Sequence, residues 1–207
     1  YTSTKAPLQG VKAYFQHNGQ RLETMRFAMR GPTPVSMTLE PRGSERALHV
    51  NIPDMGAFLS AFGILPDVEG GIADLHGAFD DTQASAPFSG QLDVTPFVLK
   101  KAPTALRVAR NISLYGWLAS QNTATFQITH MAMPVTFEDG ILGIHDGRTG
   151  NTALGATLEG TVDLNRDSVD LHGTVVPVFA INMLPGKLPG IGQLFSPEKD
   201  GGLLAIT

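Results

Sequence analysis

Two-residue alternation constrains this chain more than any other feature. In ATLEGTVDLNRDSVDLHGTVVP, residues 156–177, Leu158, Gly160, Val162 and Leu164 alternate with Thr157, Glu159, Thr161 and Asp163. Asn165 to Asp167 supply turn-forming side chains, after which Val169, Leu171, Gly173 and Val175 alternate with Asp170, His172 and Thr174. Successive side chains of a strand point to opposite faces, so a period of two means one oily face and one wet face. The segment predicts an antiparallel hairpin whose oily face must rest against something.

The same alternation recurs upstream. Asn18-Gly19 separates two runs in VKAYFQHNGQRLETMRFAMRG, a strong hairpin signal. Pro41 to Ser44 separate Val35, Met37 and Leu39 from Leu48, Val50 and Ile52, while Ala73, Leu75, Gly77 and Phe79 share one side of GIADLHGAFDD. GQLDVTPFVL and TATFQITHMAMPVTFEDGILGIHDG add further strands. About ten strands joined mostly by short turns predict a long, meandering antiparallel sheet. Three segments depart from the pattern. Met55, Phe58, Leu59 and Phe62 fall at helical spacing behind Asp54, a plausible cap. Leu106, Ala109, Ile112 and Trp117 form a looser helical stripe. In FAINMLPGKLPGIGQLF, Pro185 and Pro189 forbid one smooth helix and leave two short apolar turns. The expected fold is mainly β with a few short helices, one unit over residues 1–207, with a possible loop break at 80–90.

Composition narrows the function. A chain of 207 residues buries about 70% of its unfolded surface and needs neither disulfide nor metal to fold, and with no cysteine it has no disulfide. Net charge is −4, and no basic run exceeds Lys100-Lys101, which argues against a nucleic-acid partner. No run approaches the ~18 apolar residues of a membrane span. The chain opens on YTSTKAPLQG without an initiator Met and stops at GGLLAIT, a strand in progress; it reads as a piece of a longer protein whose anchor lies elsewhere.

Catalytic patterns are missing. None of the six histidines has an HxxxH or HxH partner. His76 and His172 occupy the same place in two copies of DLHG and read as exposed strand histidines; a metal would need convergent ligands. Asp80-Asp81 and Glu138-Asp139 are neighbours that point apart in a strand, and with Asp163 and Asp170 they read as loop and surface charge. There is no nucleophile elbow, P-loop or dinucleotide fingerprint. No catalytic residue, metal or cofactor is expected. A hydrolase would require His76 or His172 to meet a carboxylate in a cleft. The surplus is apolar surface, and two architectures absorb it. One is a sandwich or helix-backed sheet with an ordinary core. The other is a sheet curled into a trough with an apolar inner face that receives a lipid chain.

Three stretches carry a family likeness: DMGAFLSAFGILPDVEGGIADLHGAF (54–79), SGQLDVTPFVLKKAPTALRVARNISLYGWL (89–118) and FEDGILGIHDGRTGNTALGATLEGTVDLNRDSVDLHGTVVPVFAINMLPGKLPGIGQLF (137–195). Together they resemble the C-terminal region of the AsmA-like bacterial envelope proteins, of the YhdP and TamB type, over roughly residues 50–207. Pro185 stands where that family usually has an apolar residue. The resemblance implies the periplasm of a Gram-negative bacterium and an inner-membrane helix outside this segment. It further implies phospholipid as partner, bound by its acyl chains in a hydrophobic groove that supports outer-membrane biogenesis. Leu158, Val162, Leu164, Val169, Leu171 and Val175 are the candidate groove residues. Ile181, Leu184, Leu188, Ile191, Leu194 and Phe195 recur every three or four residues and are the candidate cap of one groove end, or a lip that touches a membrane surface. The alternative is a non-enzymatic envelope scaffold whose apolar face is ordinary core and whose edges recruit envelope proteins by strand addition.

Overall fold

The computed structural model describes residues 9–100, 125–151 and 154–177. In chain order its elements begin with β1 (Gln9–His17), β2 (Leu22–Arg30), β3 (Val35–Arg42), β4 (Glu45–Ile52), α1 (Met55–Ala61), β5 (Val68–Gly70) and β6 (Ala73–Asp80). They continue with β7 (Phe88–Val94), β8 (Phe97–Leu99), β9 (Phe126–Ile128), β10 (His130–Glu138), β11 (Ile141–Gly150), β12 (Leu154–Asp163), β13 (Ser168–His172) and β14 (Val175–Pro177). The protein is mainly β. Eleven strands form one antiparallel sheet in the order β1-β2-β3-β4-β6-β7-β10-β11-β12-β13, with β14 also on β12. The order is linear and does not close into a barrel. A second sheet, β5-β8-β9, is small.

Turn chemistry places the hairpins. Asn18 Oδ1 accepts from the backbone N–H of Gln20 and Arg21, both at 3.0 Å, so the loop runs over residues 18–21 and is longer than a two-residue Asn-Gly turn. Strand β3 continues through Pro41 and Arg42 and turns only at Gly43-Ser44. Asp163 Oδ1 accepts from the N–H of Asn165 and Arg166 and organises the turn between β12 and β13, with Asp167 at φ 54°. The expected strand from Val169 to Val175 is interrupted at Gly173-Thr174, yet both halves keep one register on β12, from Glu159↔His172 to Ala156↔Val175. Residues 81–87 join β6 to β7 within one sheet, with Phe79 paired to Phe88 beside the loop.

Every second connection leaves the same end of the sheet, and the two longest carry extra structure. The β4–β6 connection supplies α1 and β5; the β7–β10 connection supplies β8 and β9. Helix α1 forms as expected, with Asp54 Oδ1 accepting from Ala57 N–H at 2.9 Å. It lies so close to β5 that a Cβ on Gly56 would meet the backbone of Val68, Glu69 and Gly70 at 2.7 Å. Met55, Val68, Phe97, Phe126 and Ile128 pack together with Ala73 and Val94 of the long sheet, and close one end of its apolar face. A bulge in β11 breaks both flanking ladders, between Ala132 and Val135 on one side and Ile144 and Gly147 on the other, with Asp146 at φ 48°. Such bulges increase twist and bend a sheet.

Candidate functional site: the apolar face of the long sheet

Directly opposed residues share a face, so the register traces rows across the sheet. One row runs Met25, Leu39, Leu48, Gly77, Gly90, Val135, Ile144. The next runs Phe27, Met37, Val50, Leu75, Leu92, Met133. A third joins Phe79, Phe88, Phe137, Leu142, Val162 and Val169. These rows make one apolar face. The opposite face holds Thr38, His49, His76 and Gln91 in one row and Ser36, Asn51, Asp74 and Asp93 in another.

The middle of the apolar face packs on itself. Phe88, Val135 and Ile144 are buried against Leu48, Leu75, Phe79, Met133, Phe137, Leu142 and Leu158, all from this sheet. A Cβ on either Gly77 or Gly90 would meet the Phe88 ring at 2.6 Å, so the bare glycine pair is the seat of that ring. Most of the remaining lining is half-buried.

At the end opposite the α1 module sits a charged cluster. Arg46 is only 8% exposed and lies in the apolar row beside Phe79, its guanidinium 4.8 Å from the ring centroid. Its Nε donates to both Asp81 oxygens (3.0 and 2.9 Å) and its Nη1 to the Leu22 carbonyl (2.7 Å). Arg21 pairs with the same Asp81 at 2.9 Å. These groups belong to the starts of β2 and β4 and the end of β6. Strands β2 and β6 are three places apart in the sheet, roughly 14 Å if it were flat. Arg21 and Asp81 lie in the loops just outside those strands, and their ion pair spans β3 and β4 at this end of the apolar face. Asp81, read from sequence as loop charge, is instead an inward ion-pair partner. The missed signal was Arg46 itself, a cation at an apolar position of the alternation.

The six groove candidates lie toward one lateral side. Leu158 joins the central cluster, Val175 packs against the α1 module, and Val162 is half-buried. Val169 (66% exposed) and Leu171 line the outer strand, β13. Leu164 is not on the strand; it sits in the turn, exposed, because the Asp163 side chain has already turned the chain. The better-placed lining, Leu48, Val50, Leu75, Leu92 and Met133, was legible as alternation but could not be ranked without the strand order. The candidate cap residues Ile181, Leu184, Leu188, Ile191, Leu194 and Phe195 lie outside the described residues, as does the stripe of Leu106, Ala109, Ile112 and Trp117.

The polar face carries an exposed histidine–carboxylate array. His49 Nε2 lies 2.7 Å from Asp74, which also accepts from Asn51 at 3.2 Å, and His76 is 3.8 Å from Asp74. Burial raises the Asp74 pKa, but the hydrogen bonds and the charges of His49 and His76 outweigh it, and the carboxyl sits below its ordinary value. His49 and His76 border a shallow depression of about 500 Å³ with Thr38, Glu40 and Ser89, though neither ring is bonded to a hydroxyl. His172 meets Glu159 at 3.0 Å on the exposed outer strand. Asp80 ties its own loop, accepting from Gln83 and Thr82. Among the described residues no group of three potential ligands is placed to hold a metal.

Comparisons with protein-family models, with curated proteins and with solved structures find nothing that matches this chain.

Proposed function

We propose that the chain is a non-enzymatic lipid-binding segment of an AsmA-like envelope protein of the bridge type. The sheet forms an open trough, and its apolar face takes phospholipid acyl chains. The segment works in the periplasm of a Gram-negative bacterium, held by an anchor helix outside it, and supports outer-membrane biogenesis. One observation carries the reading: the central apolar cluster is built from a single face of a single sheet, with no described element laid over it. The α1 module closes one end only. A long apolar surface with a charged rim matches the demands of a chain-binding groove.

The scaffold alternative expects Phe58, Phe62, Leu106 and Trp117 to pack over that face, and the last two lie outside the described residues. Phe58 and Phe62 lie against each other, ring centroids 4.7 Å apart, and neither joins either apolar cluster.

The test is lipid content and uptake. Protein purified without detergent should yield extractable phospholipid and take up a fluorescent phospholipid. Leu75→Glu should cut uptake about tenfold by placing a charge on the binding face. His76→Glu, on the next residue but the opposite face, should leave it unchanged, with circular dichroism verifying both folds. Protein that carries no lipid and takes none up would defeat the proposal.

A further inference from the structure

The turn between β1 and β2 holds the only Asn-Gly step of the sequence, Asn18-Gly19. Such a step is a latent electrophile. The glycine nitrogen can attack the asparagine side-chain carbonyl and close a succinimide ring, and glycine puts no Cβ in its way. Hydrogen bonds converge on each reacting group of this step. Gly19 N–H donates to His17 Nδ1 at 2.8 Å. Asn18 Oδ1 accepts from the N–H of Gln20 and of Arg21, each at 3.0 Å. Asn18 Nδ2 donates to Glu23 Oε1 at 2.8 Å. Two donors on one side and a carboxylate on the other fix which way the amide faces. The turn is exposed, and a Cβ on Gly19 would meet nothing within 4 Å, so water reaches the site.

These contacts supply a base at the nucleophile and donors at the oxygen that becomes charged. We propose that the turn promotes its own deamidation at Asn18. His17 Nδ1 accepts a hydrogen bond, which places the ring proton on Nε2 and leaves Nδ1 free to act as base. It takes the Gly19 proton as that nitrogen bonds to Asn18 Cγ. The Asn18 Oδ1 oxyanion forms between the Gln20 and Arg21 N–H donors. The His17 imidazolium returns the proton to Nδ2, the Cγ–Nδ2 bond breaks, and ammonia leaves. Water then opens the succinimide at either carbonyl and gives aspartate or isoaspartate. The aspartate carboxylate replaces the amide that donated to Glu23, so an attraction becomes a like-charge repulsion. In isoaspartate the main chain runs through the former side chain and lengthens the turn beside Arg21, the partner of Asp81. The turn makes this claim independently of what the apolar face binds.

The full 207-residue chain can be incubated at neutral pH, folded or unfolded in urea, and then digested with trypsin. Mass spectrometry of the peptide from Ala13 to Arg21 follows the exchange of NH2 for OH, and isoaspartyl methyltransferase labelling identifies isoaspartate. The folded chain should be modified about tenfold faster than the unfolded one, a modest share of what a placed general base contributes. His17→Gln keeps an acceptor for the Gly19 N–H but has no base at neutral pH. It should slow the folded chain to the unfolded rate and change the unfolded rate far less. His17 is exposed, so circular dichroism should show this variant folded. A folded chain modified no faster than the unfolded one would overturn the proposal, because the turn would then restrain Asn18 and not activate it. A folded rate unmoved by His17→Gln would overturn it equally.

Discussion

Arg46 shows what one side chain can do to a sheet. It occupies an apolar position, is buried, and satisfies its guanidinium with Asp81 and the Leu22 carbonyl. Asp81→Ala should lower stability by about 3 kcal/mol in urea unfolding, because it strands a buried cation. Arg46→Met should cost less, since the apolar stem is retained and Arg21 still pairs with Asp81. The opposite face responds to pH. Asp74 is held low as described, and Asp80 is held low by the side chains of Gln83 and Thr82 and by the Thr82 N–H. A carboxyl whose folded pKa is depressed binds fewer protons in the folded state. Its stabilisation is complete above the unfolded value of about 4 and is lost as pH falls through the folded value. The urea midpoint should therefore drop as pH is lowered below about 4, and Asp74→Asn should make that drop shallower.

Among the elements, α1 was legible because its signals are local: a capping Asp54 and apolar residues at helical spacing. Asp54→Ala should cost about 1 kcal/mol in stability. What α1 packs against was not legible. Gly56 touches the backbone of Val68, Glu69 and Gly70, more than ten residues downstream, and no spacing rule announces that contact. Gly56→Ala should push α1 off β5 and cost about 2 kcal/mol by overpacking, seen as a lower thermal midpoint. Should the midpoint hold, the closed end of the apolar face is looser than its contacts imply. The β12–β13 hairpin was similarly readable in its turn and its alternation, while the break at Gly173-Thr174 was not. The pattern continues across it because the register on β12 continues.

For the whole molecule, the bend of the sheet is the quantity that matters. The Arg21–Asp81 and Arg46–Leu22 contacts tie the start of β2 to β4 and to the loop after β6. With no native cysteine to remove, spin labels at Gln20→Cys and Gln83→Cys can report the distance between the β1–β2 and β6–β7 loops. Asp81→Ala should lengthen and broaden that distance. An unchanged distribution would mean that the β11 bulge and intrinsic twist set the curvature, with the ion cluster merely riding on it.

The sequence alone determined the period of two, and with it the strands, most of the turns and the partition into an oily and a wet face. Those properties depend on neighbours within a few residues, where side-chain geometry and turn chemistry act directly. The tertiary structure alone decided which oily residues became the centre of the face. Leu75 and Leu92 sit there and Val169 does not, because strand order put β6 and β7 in the middle of the sheet and β13 at its edge. It also decided that the two longest connections would meet and pair as β5 and β8, and that Asp81 would turn inward to Arg46. Each of these rests on contacts between residues far apart in the chain, whose loop-closure cost is repaid only by the assembled sheet.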